Sequence, residues 1–467
     1  MKIIIASVFL ILQSGILIGQ DFKYYQYDKD LLPASFHTQR RDEVRKKMPA
    51  NSVAILFSNP VRNRSIDMDY TYHQDPNFYY LTGFNEPNSV LIIYKDSISI
   101  NDQSVHEILF VPVREKSREI WNGRRAGIEG AKIISGIRTV FYSEDFLKRS
   151  SLFSDTSLKI LHLTMHKGVV NEKANPFDLF ELTEYFKSVI DRNTSKGDSF
   201  SLGKIFQELR EIKTEEEIAL MRRSISITCK GFISMMQNIK PGMTEYQVQA
   251  YGEYEFKKYG AETEGYPSIC GSRENSTILH YNTNRRTLND SDLILLDMGA
   301  EYHGYSADVT RTIPVNGKFT ADQKLIYELV LKAQNAGITA CVAGNEFSSP
   351  HKAAVTVLSE GLVKLGIIKD PSDYDTYYMT GTSHYLGLDV HDVGTRGPLR
   401  SGTVITVEPG IYIAENSDCD PKWWNIGVRI EDDILITENG PVNLSAQAPK
   451  NVEEIELLHG QAAVMNK

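Results

Sequence analysis

Short apolar runs bounded by polar residues recur through the first half of the chain. Three of them, residues 52–57, 89–94 and 107–112, have the length and composition of buried strands. Residues 133–140 contain a glycine and are predicted to form a loop that leads into another strand. We therefore expect an α/β domain that begins after residue 20 and extends to about residue 190.

A polar segment, residues 191–199, follows this α/β region and contains serine, glycine and charged side chains. Such a composition is typical of a linker between domains. We accordingly predict an N-terminal domain over residues 21–195 and a C-terminal domain over residues 205–467.

The second half of the chain has helical and strand-like segments in separate runs. Capping-box patterns predict that helices begin at Thr214 and Thr244. Residues 322–340 and 350–365 are predicted to form two further helices, with strands between and after them. This order predicts an α+β domain.

One predicted hairpin, residues 293–312, carries two aspartates in otherwise apolar surroundings. If its turn is centred between residues 302 and 303, Asp297 pairs directly with Asp308 across the two strands. Like charges in that position are destabilising, but a bound cation makes them a pair of ligands. The alternative is that both aspartates are solvated.

Three more candidate ligands follow, each near the end of a strand-like segment that holds few charged residues. His384 lies in a glycine-punctuated stretch, and Glu408 ends an apolar strand-like run just before a Pro-Gly pair. Glu431 follows an alternating strand pattern. The adjacent Asp432 and Asp433 are interpreted as a solvated turn or as residues that support the ligands.

Four carboxylates and one imidazole form an oxygen-rich ligand set without thiolate. Such a set suits two divalent ions, with Mn²⁺ expected first and Zn²⁺, Co²⁺ or Fe²⁺ as alternatives. Paired metals activate water and polarise a carbonyl, so the residues predict metal-assisted hydrolysis. The sequence contains no GxSxG, P-loop or GxGxxG motif that would indicate other chemistry.

Composition narrows the class of protein. The hydrophobic content of 41% and charged content of 24% are those of a globular protein. The net charge of −9 argues against a nucleic-acid partner. The four cysteines are widely spaced and predict neither a zinc ribbon nor a catalytic thiol, and leave disulfides or buried thiols equally open.

The first 20 residues differ from the rest of the chain. Lys2 precedes a mostly apolar run that is short for a membrane span and is interrupted by Gln13, Ser14 and Gly15. This pattern predicts a signal peptide, residues 1–20, and an exported protein, periplasmic or secreted, without a membrane span after cleavage. An uncleaved N-terminal anchor is the alternative.

From about residue 209 to 456, the chain resembles the pita-bread metallopeptidase family, which includes methionine aminopeptidase, prolidase and aminopeptidase P. Segments 69–87 and 119–127 are similar to the N-terminal domain of bacterial aminopeptidase P, which methionine aminopeptidases lack. The resemblance implies a pita-bread fold for the C-terminal domain. The matching ligand positions, in order, are Asp297, Asp308, His384, Glu408 and Glu431.

The same resemblance implies a function and further site residues. The protein is expected to release the N-terminal residue of peptides whose second residue is proline. Glu408 would also handle a proton, His280 and His391 would contact the substrate, and Arg429 would support the ligands. Family members usually form dimers or tetramers, so a homo-oligomer is expected. A prolidase restricted to dipeptides and a non-catalytic pita-bread binding protein are the alternatives.

Overall fold

The computed structural model describes residues 27–155, 157–171, 177–192 and 197–461. These form two compact units, divided in sequence between Leu209 and Arg210. The predicted signal peptide lies outside the described residues, as do residues 193–196 of the predicted linker. Asp198, near the end of that linker, forms a parallel bridge with Leu161 in the N-terminal unit.

The N-terminal unit is built around one mixed five-stranded sheet with the strand order β6-β5-β4-β1-β7. The central strands are apolar where they pair, so both faces of the sheet are covered there, as predicted for an α/β domain. The strands are β1 Ser52–Phe57, β2 Asn63–Ser65, β3 Met68–Asp69, β4 Val90–Ile100, β5 Gln103–Val111, β6 Val140–Tyr142 and β7 Lys159–His162. The helices are α1 Ala34–Lys47, α2 Pro76–Thr82, α3 Lys116–Asn122, α4 Gly127–Ser135, α5 Ser143–Phe146, α6 Leu179–Arg192 and α7 Ser201–Glu211, the last of which crosses the division between the units.

The predicted loop at residues 133–140 is wrong in its first part, because residues 133–135 are the last turn of α4. Gly136, at φ 74°, is the left-handed residue that ends this helix. The glycine therefore marks a helix end, and the predicted strand follows as β6.

The C-terminal unit combines helices with small antiparallel sheets, as the predicted α+β class requires. Strands β9, β10 and β13 form one sheet, and β14, β17 and β18 form another. The helices are α8 Glu215–Asn238, α9 Glu245–Lys258, α10 Ala321–Thr339 and α11 Ser349–Lys364, with a short terminal helix α12 Val452–Leu458. The strands are β8 Thr263–Glu264, β9 Ile269–Ser272, β10 Leu293–Met298, β11 Ala300–Tyr302, β12 Tyr305–Ser306, β13 Val309–Pro314, β14 Val404–Val407, β15 Gly410–Ile413, β16 Ile426–Arg429, β17 Asp432–Thr437 and β18 Gly440–Asn443.

Helices α8 and α9 begin where the capping patterns predicted. At the start of α8, the Thr214 hydroxyl accepts from the N–H of Glu217, whose carboxylate accepts from the N–H of Thr214. At the start of α9, the side-chain oxygen of Gln247 accepts from the N–H of Thr244 at 2.9 Å. These bonds satisfy N–H groups that a helix leaves without partners at its first turn.

The predicted register of the aspartate hairpin is wrong by two residues. The turn is formed by His303 and Gly304, both with positive φ, and Asp297 pairs with Thr310. Two left-handed residues in succession match the twist of the strands that they join. Because the shift is even, Asp308 stays on the same face of the sheet and lies diagonal to Asp297.

Asp432 and Asp433 do not form a solvated turn. Both are fully buried at the start of β17. Asp432 contacts Arg311 at 2.7 Å and Lys450 at 2.6 Å, so its charge is balanced within the core. Asp433 accepts from the N–H of Asp308 at 3.3 Å. Asp433 therefore fixes the backbone of a candidate ligand, in agreement with the interpretation of this pair as supporting residues.

All four cysteines lie in the described residues and are free thiols. Of the alternatives left open by the sequence, single thiols rather than disulfides are therefore found. Among the helices that the structure describes, none has both the length and the apolar content to cross a membrane.

Candidate metal centre and peptide-binding cavity

A cavity of about 280 Å³ in the C-terminal unit brings together all eight residues that the sequence singled out. They come from separate strands and loops, between residues 280 and 431. The walls of the cavity are both polar and apolar. The predicted residues on its lining are His280, Asp297, Asp308, His384, His391, Glu408, Arg429 and Glu431.

Tyr266 joins the two aspartates, although they are not direct strand partners. Its hydroxyl lies 2.6 Å from Asp297 Oδ1 and 2.5 Å from Asp308 Oδ1. Burial and the charges of these two carboxylates raise the pKa of Tyr266 well above its usual range. The hydroxyl therefore keeps its proton and acts as a donor to the pair.

His384 faces the carboxylates through one ring nitrogen and the backbone through the other. Its Nε2 lies 3.3 Å from Asp308 Oδ2 and 3.4 Å from Glu408 Oε1. Its Nδ1 lies 3.0 Å from the carbonyl oxygen of Tyr385, to which it donates in the matching tautomer. That contact orients the ring and leaves Nε2 as a ligand atom.

Glu431 is held by one oxygen and is open at the other. Its Oε2 accepts from the Thr310 hydroxyl at 2.7 Å, while its buried Oε1 has no hydrogen-bond partner in the described part of the chain. Ligand atoms of Glu431, Asp308 and His384 lie within 4.8 Å of one another. A buried carboxylate oxygen without a donor fits a cation in this position.

The pKa values of the acidic side chains also indicate that a cation belongs in this position. Burial raises the pKa of Glu431 well above its usual range, and the charges of Asp308 and Glu408 raise it further. Burial also raises the pKa of Glu408 and of Asp297, in the latter case against the opposing charge of Arg429. Four carboxylates this close are unfavourable as anions unless cations accompany them. The donor set therefore fits divalent metal.

Arg429 is buried and contacts Asp297. Its Nη2 lies 2.5 Å from Asp297 Oδ2, its Nη1 donates to the Tyr412 hydroxyl at 2.9 Å, and its Nε donates to the Thr310 hydroxyl at 3.2 Å. A planar guanidinium makes three such contacts at once and fixes the orientation of Asp297.

His280 and His391 are exposed side chains on the cavity lining. The ring of His391 is 4.4 Å from that of His384, centroid to centroid, in an edge-on arrangement. The cavity walls partly desolvate His391 and lower its pKa, and the nearby His384 lowers that pKa further. Both residues line the cavity and lie outside the group formed by Asp308, His384 and Glu431.

Sequence reasoning missed several residues that shape this centre. Tyr266 and Tyr412 come from different segments, and no spacing in the sequence connects either with the acids. Thr310 donates to Glu431 from the hairpin strand. Its position two residues after Asp308, on the same strand face, is the one signal that could have indicated it.

The buried carboxylate–imidazole cluster and the α+β domain around it define a metal-dependent hydrolase. Residues 219–438 match metallopeptidase family M24, and residues 37–159 match the aminopeptidase P N-terminal domain. The Xaa-Pro aminopeptidase of Haemophilus influenzae is 38% identical over 439 residues, which are 91% of this chain and 97% of that protein.

Solved structures show the same likeness over both units. Proline aminopeptidase P II from Yersinia pestis has a TM-score of 0.81 and 37% identity, with 91% of this chain and 99% of that chain covered. Aminopeptidase P from Escherichia coli with the inhibitor Pro-Leu has a TM-score of 0.82 and 36% identity, with 93% and 100% covered. The chain belongs to the aminopeptidase P group of metallopeptidase family M24, with the pita-bread fold of its catalytic domain.

Proposed function

We propose that this protein is an Xaa-Pro aminopeptidase that removes the first residue of peptides with proline in second position. The observation that carries the proposal is the cavity in which the acidic cluster and two exposed histidines lie side by side. Relatives over nearly the whole chain carry this activity in their names, and the similar Escherichia coli structure holds the inhibitor Pro-Leu.

Two divalent ions, with Mn²⁺ as the first candidate, are proposed as the cofactor. Asp297, Asp308, His384, Glu408 and Glu431 would hold them. When bound, such ions polarise the scissile carbonyl and activate water. The oxygen-rich ligand set supports Mn²⁺, because it contains one imidazole and no thiolate.

The protein's own groups supply binding and proton transfer. Glu408, which lines the cavity beside His384, would take a proton from the attacking water and pass it to the departing amine. His280 and His391 are placed to hold the peptide at the first peptide bond. Arg429 keeps Asp297 in place through its 2.5 Å contact. We also infer a homodimer or homotetramer, to be tested by light scattering.

Cleavage of an Xaa-Pro-Yaa tripeptide and an Xaa-Pro dipeptide by chelated and Mn²⁺-restored protein tests the assignment. We expect Mn²⁺-dependent release of the first residue from the tripeptide. Glu408→Gln should remove this activity, whereas Glu415→Gln, the same change in an exposed turn, should not. Cleavage of the dipeptide alone would indicate a prolidase. Cleavage of neither, with metal shown to be bound, would indicate a binding protein.

Export is proposed separately, from the composition of residues 1–20. Expression of the full chain, followed by fractionation and mass spectrometry of its N-terminus, tests it. We expect a shortened chain outside the cytosol. The intact precursor found in the cytosol alone would contradict export without affecting the proposed activity.

A further inference from the structure

The segment that carries His280 is not held through the histidine itself. Within the described part of the chain, the His280 ring forms no hydrogen bond, and its side chain is exposed on the cavity lining. The flanking Leu279 packs against the apolar group formed by Ile269, Leu295 and Tyr412. Whatever fixes the position of His280 must therefore act on its neighbours and on the backbone.

Glu245, the first residue of helix α9, is the anchor of this segment. It is fully buried, and its carboxylate accepts five hydrogen bonds from residues 272–286. Oε1 accepts from the Ser272 N–H at 2.8 Å, the Ser272 hydroxyl at 2.7 Å and the Asn275 amide at 3.1 Å. Oε2 accepts from the Tyr281 hydroxyl at 2.8 Å and the Arg286 N–H at 2.9 Å.

These five donors come from both ends and from the middle of one loop. Ser272 ends β9, Arg286 closes the loop, and Tyr281 directly follows His280. The backbone N–H of Glu245 also donates to the carbonyl of Arg286 at 3.0 Å. A single buried side chain thus fixes the span of the loop and the residue next to the cavity histidine.

Only a carboxylate satisfies this arrangement. Three of the five donors are N–H groups, which cannot accept in return, and they are divided between the two oxygens. A glutamine in either orientation points its own N–H₂ at one or more of them. The position at the first turn of a helix further favours a negative charge.

We propose that Glu245 is a positioning residue for the peptidase reaction, which acts through Tyr281 on His280. This inference rests on the proposed function, because it assigns His280 to substrate binding. Glu245 is not among the residues of the acidic cluster and does not line the cavity. Loss of the Glu245 carboxylate should therefore lower kcat/KM while leaving the metal content unchanged.

The test compares Glu245→Gln, Tyr281→Phe and His280→Ala, singly and combined, in the metal-loaded protein. We expect kcat/KM to fall about 100-fold in Glu245→Gln and about tenfold in Tyr281→Phe. In the His280→Ala background, neither change should cost more, because the residue through which they act is already absent. Metal per chain should equal that of the unchanged protein.

Glu215→Gln is the matched control. Glu215 is also the first residue after a threonine N-cap, that of helix α8, but it is exposed. The two substitutions share the loss of a charge at a helix start and differ in the five buried bonds. Hydrogen exchange of residues 273–286 should become faster in Glu245→Gln and Tyr281→Phe and stay unchanged in Glu215→Gln.

Several results would overturn the inference. One is an unchanged kcat/KM in Glu245→Gln. Another is a fall in kcat/KM on adding Glu245→Gln to His280→Ala that equals the fall caused by Glu245→Gln alone. A third is unaltered hydrogen exchange of residues 273–286. If Glu245→Gln does not fold, Tyr281→Phe with and without His280→Ala carries the same test. If the unchanged protein cleaves no peptide, the proposed function fails, and loop exchange alone then decides whether Glu245 holds the segment.

Discussion

At the scale of the residue, Tyr266 decides how the two aspartates lie relative to each other. Its hydroxyl is within hydrogen-bond distance of both, and its pKa is raised, so it remains a neutral donor. Arg429 contacts the other oxygen of Asp297. Tyr266 and Arg429 thus hold both oxygens of Asp297, and Tyr266 also holds one oxygen of Asp308, which reduces the number of orientations that a metal must select.

We predict that Tyr266→Phe weakens divalent metal binding about tenfold or more without unfolding the protein, because only the shared hydroxyl is lost. Competition with a chelator of known affinity measures the change. Tyr251→Phe removes the hydroxyl of an exposed tyrosine on helix α9 and serves as the control. Equal metal affinity in the two variants would contradict the orienting role of Tyr266.

At the scale of the element, the β-hairpin of residues 293–314 places Asp297 and Asp308 on one face. The turn depends on His303 and Gly304, at φ 51° and 82°, because these values give the right-handed twist of paired strands. Glycine adopts such a conformation at little cost, whereas other residues are strained in it. The turn therefore contributes to the register on which the aspartates depend.

Gly304→Ala is expected to lower the free energy of unfolding of the C-terminal unit by about 1 kcal/mol, because alanine at this φ is strained. Gly304→Asn should cost less, since asparagine tolerates the left-handed region better. Denaturant unfolding of the three proteins gives the order. Equal stability of the alanine variant and the unchanged protein would show that the turn relaxes without cost.

At the scale of the whole molecule, the two units differ in the charge that they bury. Both have apolar cores, and the C-terminal unit also encloses a group of buried acids. The acids cost stability until a cation accompanies them. Metal should therefore affect the C-terminal unit, whereas pH should affect both units through their buried titratable groups.

Metal removal is predicted to destabilise the C-terminal unit. A ligand present at a thousand times its dissociation constant stabilises the folded state by about 4 kcal/mol. Calorimetry of chelated and Mn²⁺-restored protein should show the transition of this unit at a lower temperature after chelation and its return with metal. A transition insensitive to both treatments would contradict a metal held by the acidic cluster.

Acid should destabilise the N-terminal unit through His37 on α1. Burial lowers the pKa of this residue from 6.5 to about 4. Between these pH values His37 is protonated in the unfolded chain and neutral in the folded unit. Stability is full above pH 6.5 and falls as the pH drops towards 4, by about 2 kcal/mol at pH 5.

The variant His37→Asn isolates this contribution, because asparagine also donates a hydrogen bond to the Tyr80 carbonyl but does not titrate. Hydrogen exchange of residues 34–47 at pH 7 and pH 5 measures the local stability of α1. We expect the free energy of opening of α1 to fall between pH 7 and pH 5 by about 2 kcal/mol more in the unchanged protein than in the variant. The same pH dependence in both proteins would exclude His37 as the cause.

The sequence by itself determined the local elements and the identity of the acidic residues. Apolar runs predicted β1, β4 and β5, and capping patterns predicted the starts of α8 and α9, because these features depend on near neighbours. The acids in apolar surroundings were also recognisable from their near neighbours in the sequence. A charge in an apolar segment indicates a bound partner, because a buried charge without one is unfavourable.

Only the tertiary structure decided how these residues meet. The hairpin register depends on the left-handed pair at 303–304. Asp432 is buried, and its charge is balanced by Arg311 and Lys450, which belong to other segments of the chain. Tyr266 and Glu245 hold the site through contacts with no fixed spacing in the chain. Such contacts depend on how distant segments pack, and no local pattern specifies that packing.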